Sequence, residues 1–215
     1  MAGKLIVLEG VDGTGKSTQF ALLCDALRRR GVTFRELSFP DYADDSSALV
    51  RMYLGGEFGG DPDAVSPYAA SVFYACDRYA SFKRRWQEDW EAGGLCVSCR
   101  YTTSNAVHQG AKLAGDERRA YWEWLFDFEY RLLGIPAPDR VILLDLPAQV
   151  ALANVRERGE KGDIHEGDAD FLARSAEAAR EAAQRYGWTV VPCAEGGVMR
   201  SREAIHEDLV RATGE

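Results

Sequence analysis

The sequence predicts a three-layer α/β fold in which a five-stranded parallel sheet is covered by helices on both faces. Three observations predict it: five short apolar runs recur along the chain, longer segments of helical spacing lie between them, and the first run leads directly into a glycine-rich loop and a helix. Strands buried on both faces read as continuous apolar runs, whereas strands with one wet face alternate. Strand and helix in alternation give a parallel sheet with covered faces.

Leu5-Ile6-Val7-Leu8 is the first run. Ser17 to Arg30 has helical spacing and is closed by Gly31, a residue that ends helices by entering the left-handed region without steric cost. Val32 to Leu37 reads as the second strand and Leu95 to Ser98 as the third. Arg118 to Leu133 reads as a helix closed by Gly134 and followed by Pro136. Its aromatic series, Tyr121, Trp122, Trp124, Leu125, Phe126, Phe128 and Leu132, has the spacing of a core or subunit-interface face rather than a base-stacking surface. Val141 to Leu146 and Thr189 to Val191 complete the strand set. Neither a repeat nor a linker interrupts the pattern, so residues 1–215 are expected to form one domain.

With 215 residues, 46% hydrophobic and 28% charged, the chain has enough apolar material for one core. A net charge of -8 argues against a broad basic face for nucleic acid, which must neutralise many phosphates. It leaves room for a small anion, which needs only a few Arg and Lys side chains in a cleft. The sequence shows neither a leader pattern at its start nor an apolar run of membrane-spanning length, so a cytoplasmic protein without membrane partners is expected. Five scattered cysteines suit reduced thiols. Cys96 and Cys99 have C-x-x-C spacing, but in a strand they point to opposite faces and read as buried thiols rather than as a metal or redox pair.

Gly10-Val11-Asp12-Gly13-Thr14-Gly15-Lys16-Ser17 matches G-x-x-x-x-G-K-[ST] without a mismatch, after a strand and before a helix. Such a P-loop turns its amide N–H groups inward on phosphate oxygens, and the following helix adds its positive end. Nucleoside triphosphate binding follows, with Gly10, Asp12, Gly13, Thr14, Gly15, Lys16, Ser17 and Thr18 as the expected contacts. Lys16 is expected to reach the β- and γ-phosphates, and the Ser17 hydroxyl to ligate Mg²⁺.

Further motifs follow in order: Phe39-Pro40-Asp41-Tyr42, Tyr74-Ala75-Cys76-Asp77-Arg78, Arg100-Tyr101-Thr102-Thr103-Ser104-Asn105, Leu144-Asp145-Leu146-Pro147 and a charged segment from Arg156 to Glu166. Together with Glu9-Gly10-Val11-Asp12 they resemble the thymidylate kinase family from Lys4 to about Leu209. The resemblance implies a P-loop kinase that transfers a phosphoryl group from magnesium-bound ATP to dTMP and works as a homodimer.

It also implies roles. Asp12 would accept a hydrogen bond from the acceptor's 3′-hydroxyl, although an Asp in a tight turn also caps its own loop. Phe39 and Tyr74 would contact the base, or simply pack in the core. Tyr74 lies one helical turn before Arg78, so both can face one pocket, where Arg78 would bond the base edge unless it forms a surface pair with Asp77. Arg100, emerging where ligands bind in open α/β sheets, would grip the acceptor phosphate, with Asn105, Ser104 and His108 near the same nucleotide. His108 stands where the family often has Tyr.

One departure concerns the third strand's end, where the family has Asp-Arg-Tyr and this chain has Cys99-Arg100-Tyr101. The missing acid implies weaker organisation of magnesium, with Glu9 or Asp145 as substitutes through its water shell. Residues 154–168 are expected to form a mobile cover, and Arg156 and Arg158 are its candidate catalytic arginines beside Lys16 and Arg100. Two other readings stay open: a kinase for another pyrimidine nucleotide or nucleoside, and a nucleotide-binding homologue impaired in catalysis.

Overall fold

The computed structural model describes residues 2–158 and 168–214. Its elements are β1 (Lys4–Glu9), α1 (Lys16–Arg29), β2 (Phe34–Ser38), α2 (Ala48–Leu54), α3 (Pro67–Ser81), α4 (Gln87–Glu91), β3 (Leu95–Cys99), α5 (Thr102–His108) and α6 (Gly115–Phe126), followed by β4 (Arg140–Asp145), α7 (Ala148–Arg158), α8 (Ala169–Tyr186), β5 (Thr189–Pro192), β6 (Ala194–Glu195), β7 (Val198–Met199) and α9 (Arg202–Thr213). The five strands expected from the apolar runs all form, within a few residues of the expected bounds.

They assemble in the order β2-β3-β1-β4-β5, every pair parallel, with Leu8 opposite Cys99 and Leu8 also opposite Ile142. β1 is central because it is apolar on both faces: Leu5, Ile6, Val7 and Leu8 are all buried. Burying one such side chain contributes about 1.5–3 kcal/mol, so the strand anchors both layers. Helices α1 and α9 pack together beside the sheet, and α5, α7 and α8 form a second group. The chain leaves β1 toward one side and enters β3 and β4 on opposite sides, which opens a crevice at the carboxyl ends of the strands.

Three features depart from the sequence reading. The helix expected over 118–133 begins at Gly115 and changes after Phe126 into a π-helical stretch, Asp127–Leu132. A second π-helical turn, Phe82–Trp86, continues α3. A small antiparallel hairpin, β6–β7, follows β5. The aromatic series divides: Tyr121, Trp122 and Leu125 are in the core, while Leu132 is exposed. Cys96 and Cys99 are both free and buried. Among the described residues no helix is long and apolar enough to cross a membrane.

Candidate active site

The loop between β1 and α1 is shaped by close approach. At Gly13, φ is 81° and an added Cβ would stand 2.1 Å from the Ala151 carbonyl oxygen, so only glycine lets α7 pack on the loop. Asn154 on α7 donates to the Gly13 carbonyl at 2.8 Å. The loop opens onto a cleft of about 500 Å³ lined by Asp12, Gly13, Gly15, Lys16, Ser17 and Thr18. Gly10 and Thr14 do not border it. The Thr14 side chain is buried and its Oγ1 donates to the Val11 carbonyl at 2.8 Å, so it braces the loop from within.

Lys16 is folded onto the same carbonyl, with Nζ 2.9 Å from Val11 O and 3.8 Å from the Asp12 carboxylate. Burial, then the nearby Arg100 charge, pull its pKa down to about 8. An incoming phosphate would replace these weak partners with full negative charge.

A second cavity of about 120 Å³ lies beside the cleft. Asp12, Phe39, Tyr74, Arg78, Arg100, Ser104, Asn105 and His108 all border it, with Tyr42 and Gln109 among the others. The elements explain the gathering. Tyr74 and Arg78 are one turn apart on α3, Ser104, Asn105 and His108 share α5, and Phe39 follows β2. Phe39 is 4% exposed and tilted against Tyr101 at a centroid distance of 5.8 Å, so it is both core and cavity wall.

Arg78 and Asp77 are not a surface pair; both are 1% exposed. Asp77 accepts from the Asp41 amide at 2.9 Å and from Ser46 Oγ at 2.7 Å, which ties the Phe39–Tyr42 loop to α3. Arg78 is instead paired with Glu129, whose charge, set against the burial that opposes it, holds the guanidinium pKa above its ordinary value. Glu129 and Asp77's partners were missed in the sequence. The Arg78–Glu129 contact spans 51 residues, and no local pattern marks it.

Arg100 follows β3 with φ at 65°, an uncommon conformation for a residue with a Cβ. Its amide donates to Leu8 O at 3.1 Å and its carbonyl accepts from Ser98 Oγ at 2.6 Å, two bonds that fix the strained turn. The side chain forms an ion pair with Asp12. Its Nη1 lies 2.9 Å from His108 Nε2, and because a guanidinium only donates, Nε2 is the acceptor in this contact. The ring of His108 stacks on Phe171 at 6.5 Å. Burial alone would raise the Asp12 pKa, but Arg100 and then Lys16 hold it well below the usual carboxylate range.

Cys99 borders the phosphate-loop cleft, and burial raises its thiol pKa despite Lys16 and Arg100. Neither expected substitute for the missing acid borders that cleft. Glu9 is fully buried and accepts from Thr103 Oγ1 at 2.6 Å and from Ser104 Oγ at 2.8 and 2.9 Å. Asp145 is bound to Arg180 at 2.8 Å. Among the described residues no group of three His, Cys, Asp or Glu side chains is placed to hold a metal. Ser17 does face the cleft beside Lys16, and a single hydroxyl fits an ion that keeps several waters and binds chiefly through triphosphate oxygens.

Of the expected cover, α7 carries Asn154 and the exposed Arg156, while the Arg158 side chain and residues 159–167 lie outside the described residues.

A family model described as thymidylate kinase matches residues 8–205. The chain is 32% identical over 202 residues to the thymidylate kinase of Mycobacterium tuberculosis, covering 87% of this chain and 90% of that one. It is also 32% identical over 199 residues to the thymidylate kinase of Synechococcus sp. (strain WH7803), covering 90% and 89%. Identity to the probable thymidylate kinase of Thermococcus kodakarensis is 32% over 161 residues, 74% of each chain.

Proposed function

Because the chain belongs to the thymidylate kinase family, we propose that it transfers the γ-phosphoryl group of ATP to dTMP, giving ADP and dTDP. The observation that carries the proposal is a shared wall. Asp12, Phe39, Pro40, Tyr42 and Arg100 border both the phosphate-loop cleft and the smaller cavity, so a triphosphate and an acceptor monophosphate would meet head to head there.

In this reading the acceptor phosphate takes Arg100 away from Asp12, and Asp12 turns to the 3′-hydroxyl. In the free enzyme the two form an ion pair, so binding exchanges the Arg100–Asp12 contact for an Arg100–phosphate one. A phosphate monoester has its second pKa near 6, so it enters as a dianion and needs no general base. Catalysis rests on alignment and charge stabilisation. Lys16 moves from Val11 O to the triphosphate, and Arg156 or Arg158 of the cover over 154–168 adds positive charge. Mg²⁺ held by Ser17 would neutralise charge on the phosphate oxygens.

Phe39, Tyr74, Arg78, Ser104, Asn105 and His108 then surround the sugar and base. A homodimer fits the exposed stripe Tyr68, Val72 and Tyr79 on α3, which turns an apolar face to water. The net charge of -8 suits a cytoplasmic enzyme of small nucleotides with no nucleic-acid or membrane partner.

A coupled ADP-release assay with dTMP, dUMP, dCMP and thymidine tests the reaction. Turnover is expected with dTMP above the others. Turnover only with another acceptor, or tight binding of both nucleotides without ADP release, would overturn it.

A further inference from the structure

Two arginines face the acceptor cavity, and their surroundings differ. Arg100 stands on the wall shared with the phosphate-loop cleft, whereas Arg78 borders the acceptor cavity alone. Arg78 is 1% exposed and meets a carboxylate that is 0% exposed: Nε donates to Glu129 Oε2 at 2.7 Å and Nη2 to Oε1 at 2.5 Å. Thr102 Oγ1 donates to the same Oε2 at 2.8 Å. Glu129 stands behind Arg78 without bordering the cavity.

A buried ion pair is by itself weak evidence of a stabilising role. Buried ion pairs replaced by apolar residues of similar volume often leave a protein as stable or more so. Glu129 also sits in the π-helical stretch Asp127–Leu132, and such interruptions of helices are frequent at functional sites. What the pair does supply is a fixed plane and a cancelled charge. Of the guanidinium's five N–H groups, Nε–H and one on Nη2 are taken, and the rest are donors only.

An acceptor with a dianionic phosphate at one end and a neutral base at the other can enter the cavity either way round. An uncompensated guanidinium at the base end would attract the phosphate and favour the unproductive orientation. On the reading of this cavity as the acceptor-nucleotide site, we infer that Glu129 is a positioning and selectivity residue: it neutralises and orients Arg78 so that this arginine reads a carbonyl oxygen of a keto-pyrimidine instead of capturing phosphate. The same donor-only edge disfavours the exocyclic amino group of cytosine.

The test uses the full chain with Glu129→Gln and Glu129→Asp, measured by steady-state kinetics with dTMP and dCMP, by inhibition with inorganic phosphate, and by thermal melting. Glu129→Gln removes the charge and nearly keeps the shape. Its KM for dTMP is expected to rise roughly tenfold with a smaller change in kcat, the signature of lost ground-state binding. Inorganic phosphate should become several-fold more inhibitory against dTMP, since Arg78 now attracts anions. Glu129→Asp keeps the charge but withdraws the carboxylate, so KM should rise while phosphate inhibition stays at the wild-type level.

Wild-type KM and wild-type phosphate inhibition in Glu129→Gln would overturn the inference. If both variants melt below the assay temperature, Thr102→Val carries the test by removing only one bond to Glu129: a KM for dTMP raised about two- to fivefold supports it, and an unchanged KM overturns it. Wild-type failure to phosphorylate dTMP would count against the kinase reading instead. Calorimetric titration of inorganic phosphate into wild type and Glu129→Gln, without nucleotide, would still decide whether Glu129 shields Arg78.

Discussion

Asp12 and Arg100 form an ion pair on the wall that the phosphate-loop cleft and the acceptor cavity have in common. In the proposed reaction this pair would put a carboxylate and a phosphate clamp at the point where two nucleotides meet. Arg100 reaches it from a left-handed backbone, φ 65°, held by Leu8 O and Ser98 Oγ. The strained turn and the clamp are therefore one feature.

That link predicts a difference between two substitutions. Arg100→Ala and Arg100→Gly both remove the guanidinium and are expected to lower kcat/KM for dTMP by roughly 100-fold or more, the loss of a bidentate charged contact. They should differ in stability, because glycine adopts a positive φ freely: the Gly variant should be more stable than the Ala variant by about 1 kcal/mol. Denaturant melts of the two variants check this, and equal midpoints would remove the strain from the account.

Cys99→Asp tests the missing acid. The thiol borders the cleft and burial keeps it neutral, so the site has one negative charge fewer than an Asp would give it. An Asp there would lie within the fields of Lys16 and Arg100, which favour its ionised form against the burial of the site. The variant is expected to need several-fold less Mg²⁺ for half-maximal turnover, through bonds to the ion's waters. Cys99→Ser, neutral and similar in size, should leave the Mg²⁺ requirement where it is. A magnesium titration of activity distinguishes them.

How much of this was legible follows from range. The five strands were legible because burial on both faces leaves apolar runs that no partner is needed to recognise, and the phosphate loop is a local motif. The change of α6 into a π stretch at Asp127 was not, since no local pattern in the sequence marks it. Glu9 was equally hidden: its partners Thr103 and Ser104 are 94 and 95 residues away. The hairpin β6–β7 did carry a signal, Gly196-Gly197 between short apolar pieces, of the kind that marks a two-residue turn. The αL backbone of Arg100 had none.

The exposed stripe on α3 predicts association. Tyr68, Val72 and Tyr79 are 42%, 39% and 40% exposed, and Tyr68 packs edge-on to Trp124 at 4.7 Å, which continues the apolar surface onto α6. Sedimentation at micromolar concentration should show a dimer. Val72→Arg places a charge at the centre of the stripe and should give monomers with the fold intact by circular dichroism. A wild-type monomer would end the dimer proposal.

Glu9 predicts an unusual pH dependence of stability. Burial raises its pKa above the ordinary 4.5, although the hydroxyls of Thr103 and Ser104 and the charges of Arg100 and Lys16 pull it down. The native carboxyl thus keeps its proton at pH values where the unfolded chain has lost it. Between 4.5 and the raised native value the unfolded state binds fewer protons, so this group's contribution to stability is fully present below 4.5 and declines as pH rises through the native pKa. Glu9→Gln copies the protonated form and removes the decline. Its melting temperature is expected to draw ahead of wild type as pH rises from the unfolded value of 4.5 through the raised native one, by roughly 2–4 °C for each kcal/mol regained in a chain of this size. A gap that stayed constant over the whole range would mean that native Glu9 is ionised throughout, and that the two hydroxyls outweigh its burial.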